Sequence, residues 1–198
     1  MKQYSPSCDQ NKDPILSVIK PLLNGVNSVL EIGSGTGQHS VYFANALAHL
    51  SWQASDQAMY LPSVNAWIKE AKLSNTPKAL ELDVTGNWPD TIYEAIFSAN
   101  TVHIMSWEMV LGVFKGVSGV LENNGLFMLY GPFNYNGQYT SESNANFDLW
   151  LAQQNPQSAI RDFEALNQLA KQYGLELIED YEMPANNRIL VWKKTQPF

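Results

Sequence analysis

A chain of 198 residues, 45% hydrophobic and 16% charged, is long enough to bury a sizeable core and too short for two full domains. Acids outnumber bases by 19 to 12, for a net charge of −7, and the only arginines are Arg161 and Arg188. That balance argues against a large nucleic-acid footprint, which needs clustered basic side chains. The single cysteine, Cys8, excludes an intramolecular disulfide and a cysteine-based zinc site.

The opening residues MKQYSPSCDQNKDPIL hold no apolar run of signal-peptide length. No stretch approaches the roughly 20 apolar residues of a membrane span. The expectation is a soluble, cytoplasmic protein with a small-molecule partner, no membrane partner and no metal. A protein substrate stays open, and the sequence does not reveal the oligomeric state.

In chain order, Asp13 before Pro14 predicts a helix start, and ILSVIKPLLNG keeps helical apolar spacing until Pro21 breaks or kinks it. SVLEI (28–32) predicts a strand, HSVYFANALAHL (39–50) a helix and SWQASD (51–56) a strand. A helix over 59–73 then leads to the strand KALELDV (78–84). EAIFSANTV (94–102) and GLFMLYGPF (125–133) read as buried strands on either side of an amphipathic helix, SWEMVLGVFKGVSGVL (106–121). NYNGQYTSESNANFD (134–148) is a polar excursion. A helix over 159–173 and the strands GLELIEDYEM (174–183) and NRILVWKK (187–194) close the chain.

Alternating strands and helices imply right-handed crossovers and an α/β, Rossmann-like fold. Seven strands, the last turned back by the short MPANN connection (183–187), match the class I methyltransferase pattern. That pattern is a seven-stranded, mostly parallel sheet with an antiparallel last strand and helices on both faces. A single domain over 1–198 is expected, with 1–25 covering a cofactor site and 134–158 forming a lid-like insertion.

VLEIGSGTGQHS (29–40) follows an apolar strand and opens a helix, the position where α/β folds bind ligands. Gly33, Gly35 and Gly37 exceed what a tight turn needs. Gln38 stands where a dinucleotide fingerprint wants glycine, and no Gly-Lys-Ser/Thr follows for a phosphate loop. E-x-G-x-G-x-G instead resembles motif I of S-adenosylmethionine-dependent methyltransferases, and a cofactor without phosphate suits a loop without lysine. A nicotinamide oxidoreductase is disfavoured on the same glycine spacing.

The next two strand ends carry Asp56, placed to accept ribose hydroxyls, and Asp83, placed for the adenine amino group in this fold. Either acid alone could be a helix cap or a solvated loop residue. With Ser34, Gln57 and Val84 they make up the expected cofactor set. Glu31 either holds the cationic methionine end indirectly or orients the glycine loop by accepting backbone amides.

Segments along nearly the whole chain, including SPSCDQNKDPIL, FSANTVHIMSWE, LYGPFNYNGQYTSESNANFD and MPANNRILVW, resemble the family called domain of unknown function 938, the methyltransferase-like protein 26 proteins of animals. The resemblance implies a class I methyltransferase fold and S-adenosylmethionine binding, with S-adenosylhomocysteine as product. It names no acceptor. A protein that keeps the cofactor fold for regulation, without turnover, is the alternative.

Asn100 and His103 follow the fourth strand, where this fold brings acceptor and methyl group together. His103 is either the base for a hydroxyl or thiol acceptor or a structural histidine bonded to a carbonyl. Asn100 is expected to position cofactor or acceptor. Asn11 and Lys12 could reach the site from the N-terminal extension, although a solvated helix-start lysine is the plainer reading of Lys12. Tyr130, Phe133, Asn134 and Tyr135 could line an acceptor pocket, and Trp107 is the tryptophan expected nearest to it. Arg161 either pairs with Asp162 or addresses an anionic substrate.

Overall fold

The computed structural model describes residues 1–195. Helix α1 (Pro6–Leu22) precedes β1 (Ser28–Ile32), α2 (Gln38–Ala46), β2 (Ser51–Asp56), α3 (Leu61–Ala71) and the two-residue β3 (Leu80–Glu81). Then come β4 (Tyr93–Ala99), α4 (Trp107–Val120), β5 (Leu121–Gly131), β6 (Phe133–Asn134) and α5 (Glu142–Gln154). The chain continues through β7 (Arg161–Asp162), α6 (Phe163–Gln172), β8 (Leu175–Met183) and β9 (Asn187–Lys194).

Seven strands form one sheet in the order β3-β2-β1-β4-β5-β9-β8, and β6 pairs with β7 alone. The strands are parallel from β3 to β5. β9 runs antiparallel to both β5 and β8, the reversal that the MPANN connection predicts. Alternation along β5 divides the core. Phe127 and Leu129 pack with Phe114, Val117 and Leu166 of α4 and α6. Met128 and Tyr130 pack on the other face, in the cluster that holds Ile15 and Ile19 of α1 and Phe43 of α2. Helices thus cover both faces, as parallel strands require. No helix among the described residues is long and apolar enough to cross a membrane.

Four elements depart from expectation. α1 starts at Pro6, in its first turn, where a missing N–H costs nothing, and not at Pro14. Pro14 rides inside the helix and leaves one carbonyl without its helical donor, at about 3 kcal/mol. Tertiary bonds offset this: Ser5 N–H donates to Gln38 Oε1 at 2.6 Å and Gln3 N–H to Ser63 Oγ at 2.8 Å. β3 shrinks to two residues because, as an edge strand, it pairs only with Ser55 and Asp56. The supposed polar excursion contains α5, whose Ser141 cap accepts from Asn144 N–H at 3.0 Å. The helix expected from 159 begins at Phe163, since Arg161 and Asp162 are extended against Phe133 and Asn134.

Candidate active site

The strand order reverses between β1 and β4, and a cavity of about 910 Å³ opens along the carboxyl ends of the parallel strands there. The glycine loop forms its floor. Gly33, Gly35 and Gly37 all have positive φ, but space treats them differently. A Cβ on Gly37 would stand 2.8 Å from Val64 Cα, so this glycine lets α2 press on α3. A Cβ on Gly35 would meet nothing within 4 Å, and Gly35 lines the cavity. Its peptide therefore presents bare backbone to a ligand.

Asp56 is fixed by that same loop. Its Oδ2 accepts Gly35 N–H at 2.7 Å and its Oδ1 accepts Gln57 N–H at 2.7 Å. Burial raises its carboxyl above the ordinary range, opposed by those two bonds. Each oxygen keeps acceptor capacity toward the cavity that Asp56 lines. Glu31 is buried; Ser40 Oγ donates to its Oε2, as does Trp52 Nε1 at 2.8 Å. It thus ties β1 to α2 and β2 through side chains and not through the glycine-loop amides. Desolvation raises its carboxyl as well, against the hydrogen bonds of Ser40, Trp52 and Ser34.

On the other side of β1, Ser98 Oγ donates to Ile32 O at 2.8 Å and shares a 2.7 Å bond with Thr101 Oγ1. This bond holds the turn after β4. Asn100 adopts the left-handed φ of 57° and donates its N–H to Tyr130 O at 2.9 Å. A Cβ on Gly131 would stand 3.6 Å from His103 Nδ1 and 4.0 Å from Asn100 Oδ1, so both side chains converge over the end of β5. His103 is 4% exposed, and its Nδ1 has no hydrogen-bond partner. Burial, with Arg161 nearby, holds the imidazole down at about 4, so at neutral pH it is uncharged and a weaker base than a free imidazole. The carbonyl bond that would make Nδ1 purely structural is absent among the described residues.

Of the residues expected at the site, Asn11, Glu31, Gly33, Ser34, Gly35, Asp56, Gln57, Val84, Asn100, His103 and Tyr130 line this cavity. Gly37 does not, because it serves packing. Asp83 points to solvent, its Oδ1 accepting Thr85 N–H at 2.9 Å and Thr85 Oγ1 at 2.7 Å, since β3 ends before it. Those bonds hold its carboxyl low. Phe133 is buried in the core with α4 and α6. Asn134 is buried outside the cavity, and Tyr135 donates to Asp180 Oδ2 at 2.7 Å and stacks on Phe163.

Lys12 pairs with Asp9 at 2.8 Å and lies over the Tyr42 ring of α2, outside this cavity. Arg161 donates to the carbonyls of Val102, Met105 and Gln157 at 3.2, 2.5 and 2.8 Å. It forms no ion pair with Asp162 among the described residues, and its guanidinium lies 5.8 Å from the Trp107 ring. Arg161 is a brace for the turn after β4, and Trp107 is half-exposed beside it.

Sequence reasoning missed His39 and the α5 wall. His39 lines the cavity beneath α1, its Nε2 is 2.7 Å from Asn11 Oδ1, and burial lowers it to about 4. Its place inside the quoted glycine motif was the available signal. Ser143, Asn144 and Phe147 of α5 close the far end. Among the described residues no lysine or arginine lines the cavity, and the charged side chains that do are Glu31 and Asp56. Among the described residues no group of His, Cys, Asp and Glu could hold a metal ion.

This fold is that of the class I methyltransferases. The mitomycin 7-O-methyltransferase MmcR superposes with a TM-score of 0.84 at 14% identity, covering 96% of this chain and 54% of that one. The S-adenosylmethionine-dependent methyltransferase SibL, in its apo form, gives 0.81 at 18% identity over 96% and 56%. Human N-acetylserotonin methyltransferase in complex with SAM gives 0.81 at 10% identity over 96% and 53%. The chain spans about half the length of these proteins. It belongs to the family described as Protein of unknown function (DUF938), whose model matches residues 2–194.

Proposed function

We propose that this protein is an S-adenosylmethionine-dependent methyltransferase acting on a small-molecule acceptor. The observation that carries the reading is the cavity's chemistry. It has an open glycine-loop backbone at Gly35 and two carboxylates, with no cationic side chain. Such a lining suits a cationic sulfonium without phosphate and opposes a dinucleotide.

The loop Gly33–Thr36 would carry the ligand against backbone, Asp56 would accept its ribose hydroxyls, and Leu82, Val84 and Gln57 would border its base. The bound cofactor would supply an electrophilic methyl group for in-line displacement. His103 accepts the acceptor's proton, and Asn100 helps hold the reacting group over Gly131. α1 and α5 wall the two ends of the cavity. The O-methyltransferase and S-adenosylmethionine-dependent proteins of the same fold support the assignment.

Calorimetry with S-adenosylmethionine and S-adenosylhomocysteine tests the reading directly. Binding of both is expected, weakened about tenfold or more in Asp56→Ala. Failure of the intact protein to bind either would overturn it.

A further inference from the structure

We infer that the β4-β5-β9 half of the cavity takes an uncharged, ring-bearing acceptor with a free hydroxyl, and that α5, clasped to the Pro184–Asn187 turn, sets this selectivity. The inference rests on the methyltransferase reading above. Strand order separates the cavity into two electrostatic halves. Glu31 and Asp56 stand on β1 and β2, whereas the walls from the ends of β4 and β5 and the start of β9 carry no charged side chain.

The nearest cations are already engaged. Arg161 is spent on three carbonyls, and Arg188 pairs with Asp180 at 2.8 Å and Glu182 at 3.2 Å. An ammonium entering this half would lose its hydration with no counter-charge, and a carboxylate would find only the Arg161 guanidinium, which lines no part of the cavity and is turned toward three carbonyls. A neutral ring needs no counter-charge.

The walls favour such a ring. Phe147 meets the His103 ring in a T-shaped contact at a centroid distance of 5.4 Å and is backed by Trp150 at 5.8 Å. Pro132, Met105 and Pro184 add apolar surface. Neutral polar groups mark the rim: burial raises the Tyr130 hydroxyl above its usual range, and Asn11 and Asn187 oppose the shift. Asn144 Nδ2 donates to Asn186 O at 3.3 Å, and Asn186 Nδ2 donates to Ser143 Oγ at 3.4 Å. This clasp joins α5 to a turn in which Ala185 and Asn186 both hold left-handed φ, 58° and 59°. Asn tolerates this conformation, but a left-handed Ala185 at the cavity wall is retained where the surroundings require that shape.

The step balances. Transfer breaks the sulfonium S–CH3 bond and forms O–CH3, while the hydroxyl proton passes to the imidazole of His103 and then to solvent, leaving a neutral thioether and a neutral ether.

The test uses three para-substituted acceptors on one ring: para-cresol, para-hydroxybenzoate and tyramine. Labelled methyl transfer from S-adenosylmethionine is followed alongside S-adenosylhomocysteine binding by calorimetry. Para-cresol is expected to exceed both charged analogues by at least roughly tenfold in kcat/KM. Ser143→Lys should shift the ratio toward para-hydroxybenzoate by about tenfold, and Phe147→Ala should lower kcat/KM for para-cresol with S-adenosylhomocysteine affinity unchanged. If S-adenosylhomocysteine binds but a charged analogue is preferred, or none is methylated, the inference falls. If S-adenosylhomocysteine does not bind, the methyltransferase reading falls with it, and the calorimeter distinguishes the two failures.

Discussion

The two helices that close the cavity are built in opposite ways. α1 drives Ile15 and Ile19 into the core at no exposure, and its start is tied to α2 and α3 through Gln38, Ser63 and Trp67. α5 buries only Asn144 and Leu151 and leaves Leu149 64% and Trp150 52% exposed. It is held by the Asn144–Asn186 clasp and by Asp148, which accepts from Tyr139 and from Ile160 N–H at 2.5 and 2.7 Å. Opening α1 therefore means opening the core, while opening α5 means losing one buried leucine, the Phe147 contact with His103 and a few part-buried or exposed hydrogen bonds. Small molecules should pass by the α5 side.

The largest expected effect separates chemistry from closure. His103→Ala, beneath α5, should lower kcat by about 10²–10⁴ with S-adenosylhomocysteine affinity unchanged, in single-turnover and calorimetric measurements. His39→Ala, beneath α1, should lower that affinity instead; equal kinetic losses in both variants would break the division. In urea denaturation, Ile19→Ala should cost about 2–5 kcal/mol, against under about 0.5 kcal/mol for Leu149→Ala.

Both histidines also make stability depend on pH. Burial holds each at about 4, below the usual 6.5. The unfolded chain therefore binds protons that the native state refuses, and stability falls as pH drops from about 6.5 to 4, on the order of 3 kcal/mol per histidine. Urea midpoints between pH 7 and 4.5 should show this slope, and His39→Gln and His103→Gln should each flatten it. The smallest effect is local: Asn144→Ala, which removes the donor to Asn186 O, should speed amide exchange in α5 several-fold and leave α1 unaffected, as hydrogen exchange would report.

The contrast between the helices also explains what could be read from the residues. β1, β2, β4, β5 and the β8–β9 hairpin were legible because apolar runs and turn residues mark them without help from the rest of the chain. α5 was not, since a helix that buries two residues has no apolar stripe to display. α1 was seen only from Pro14 onward, because bonds made to Gln38 and Ser63 outweigh the proline signal. At the site, the glycine loop, Asp56, Asn100 and His103 were visible as strand-end residues on one edge. Asp83 misled because its strand stops short, and a capping aspartate looks the same as a ligand-facing one in sequence. Phe133, Tyr135 and Arg161 misled because a segment leaving the right edge still divides its side chains between core, brace and cavity. His39 stood inside the motif, but only the fold of α1 over it shows why it matters.

The place of β9 has a consequence for biosynthesis. β8 meets the sheet only through β9, which slots between β8 and β5. As the chain leaves the ribosome, β8 can pack on α6 but has no sheet partner until residues 187–194 have followed it. Lys194 then locks the arrangement, donating to Ser118 O and Leu121 O at 2.6 and 2.8 Å. Asn187, at the head of the same strand, completes the cavity wall. The nascent chain can form its parallel half early, but the cavity wall at Asn187 is completed only once this stretch is synthesised, and truncation within it should weaken ligand binding and remove the sheet's far edge.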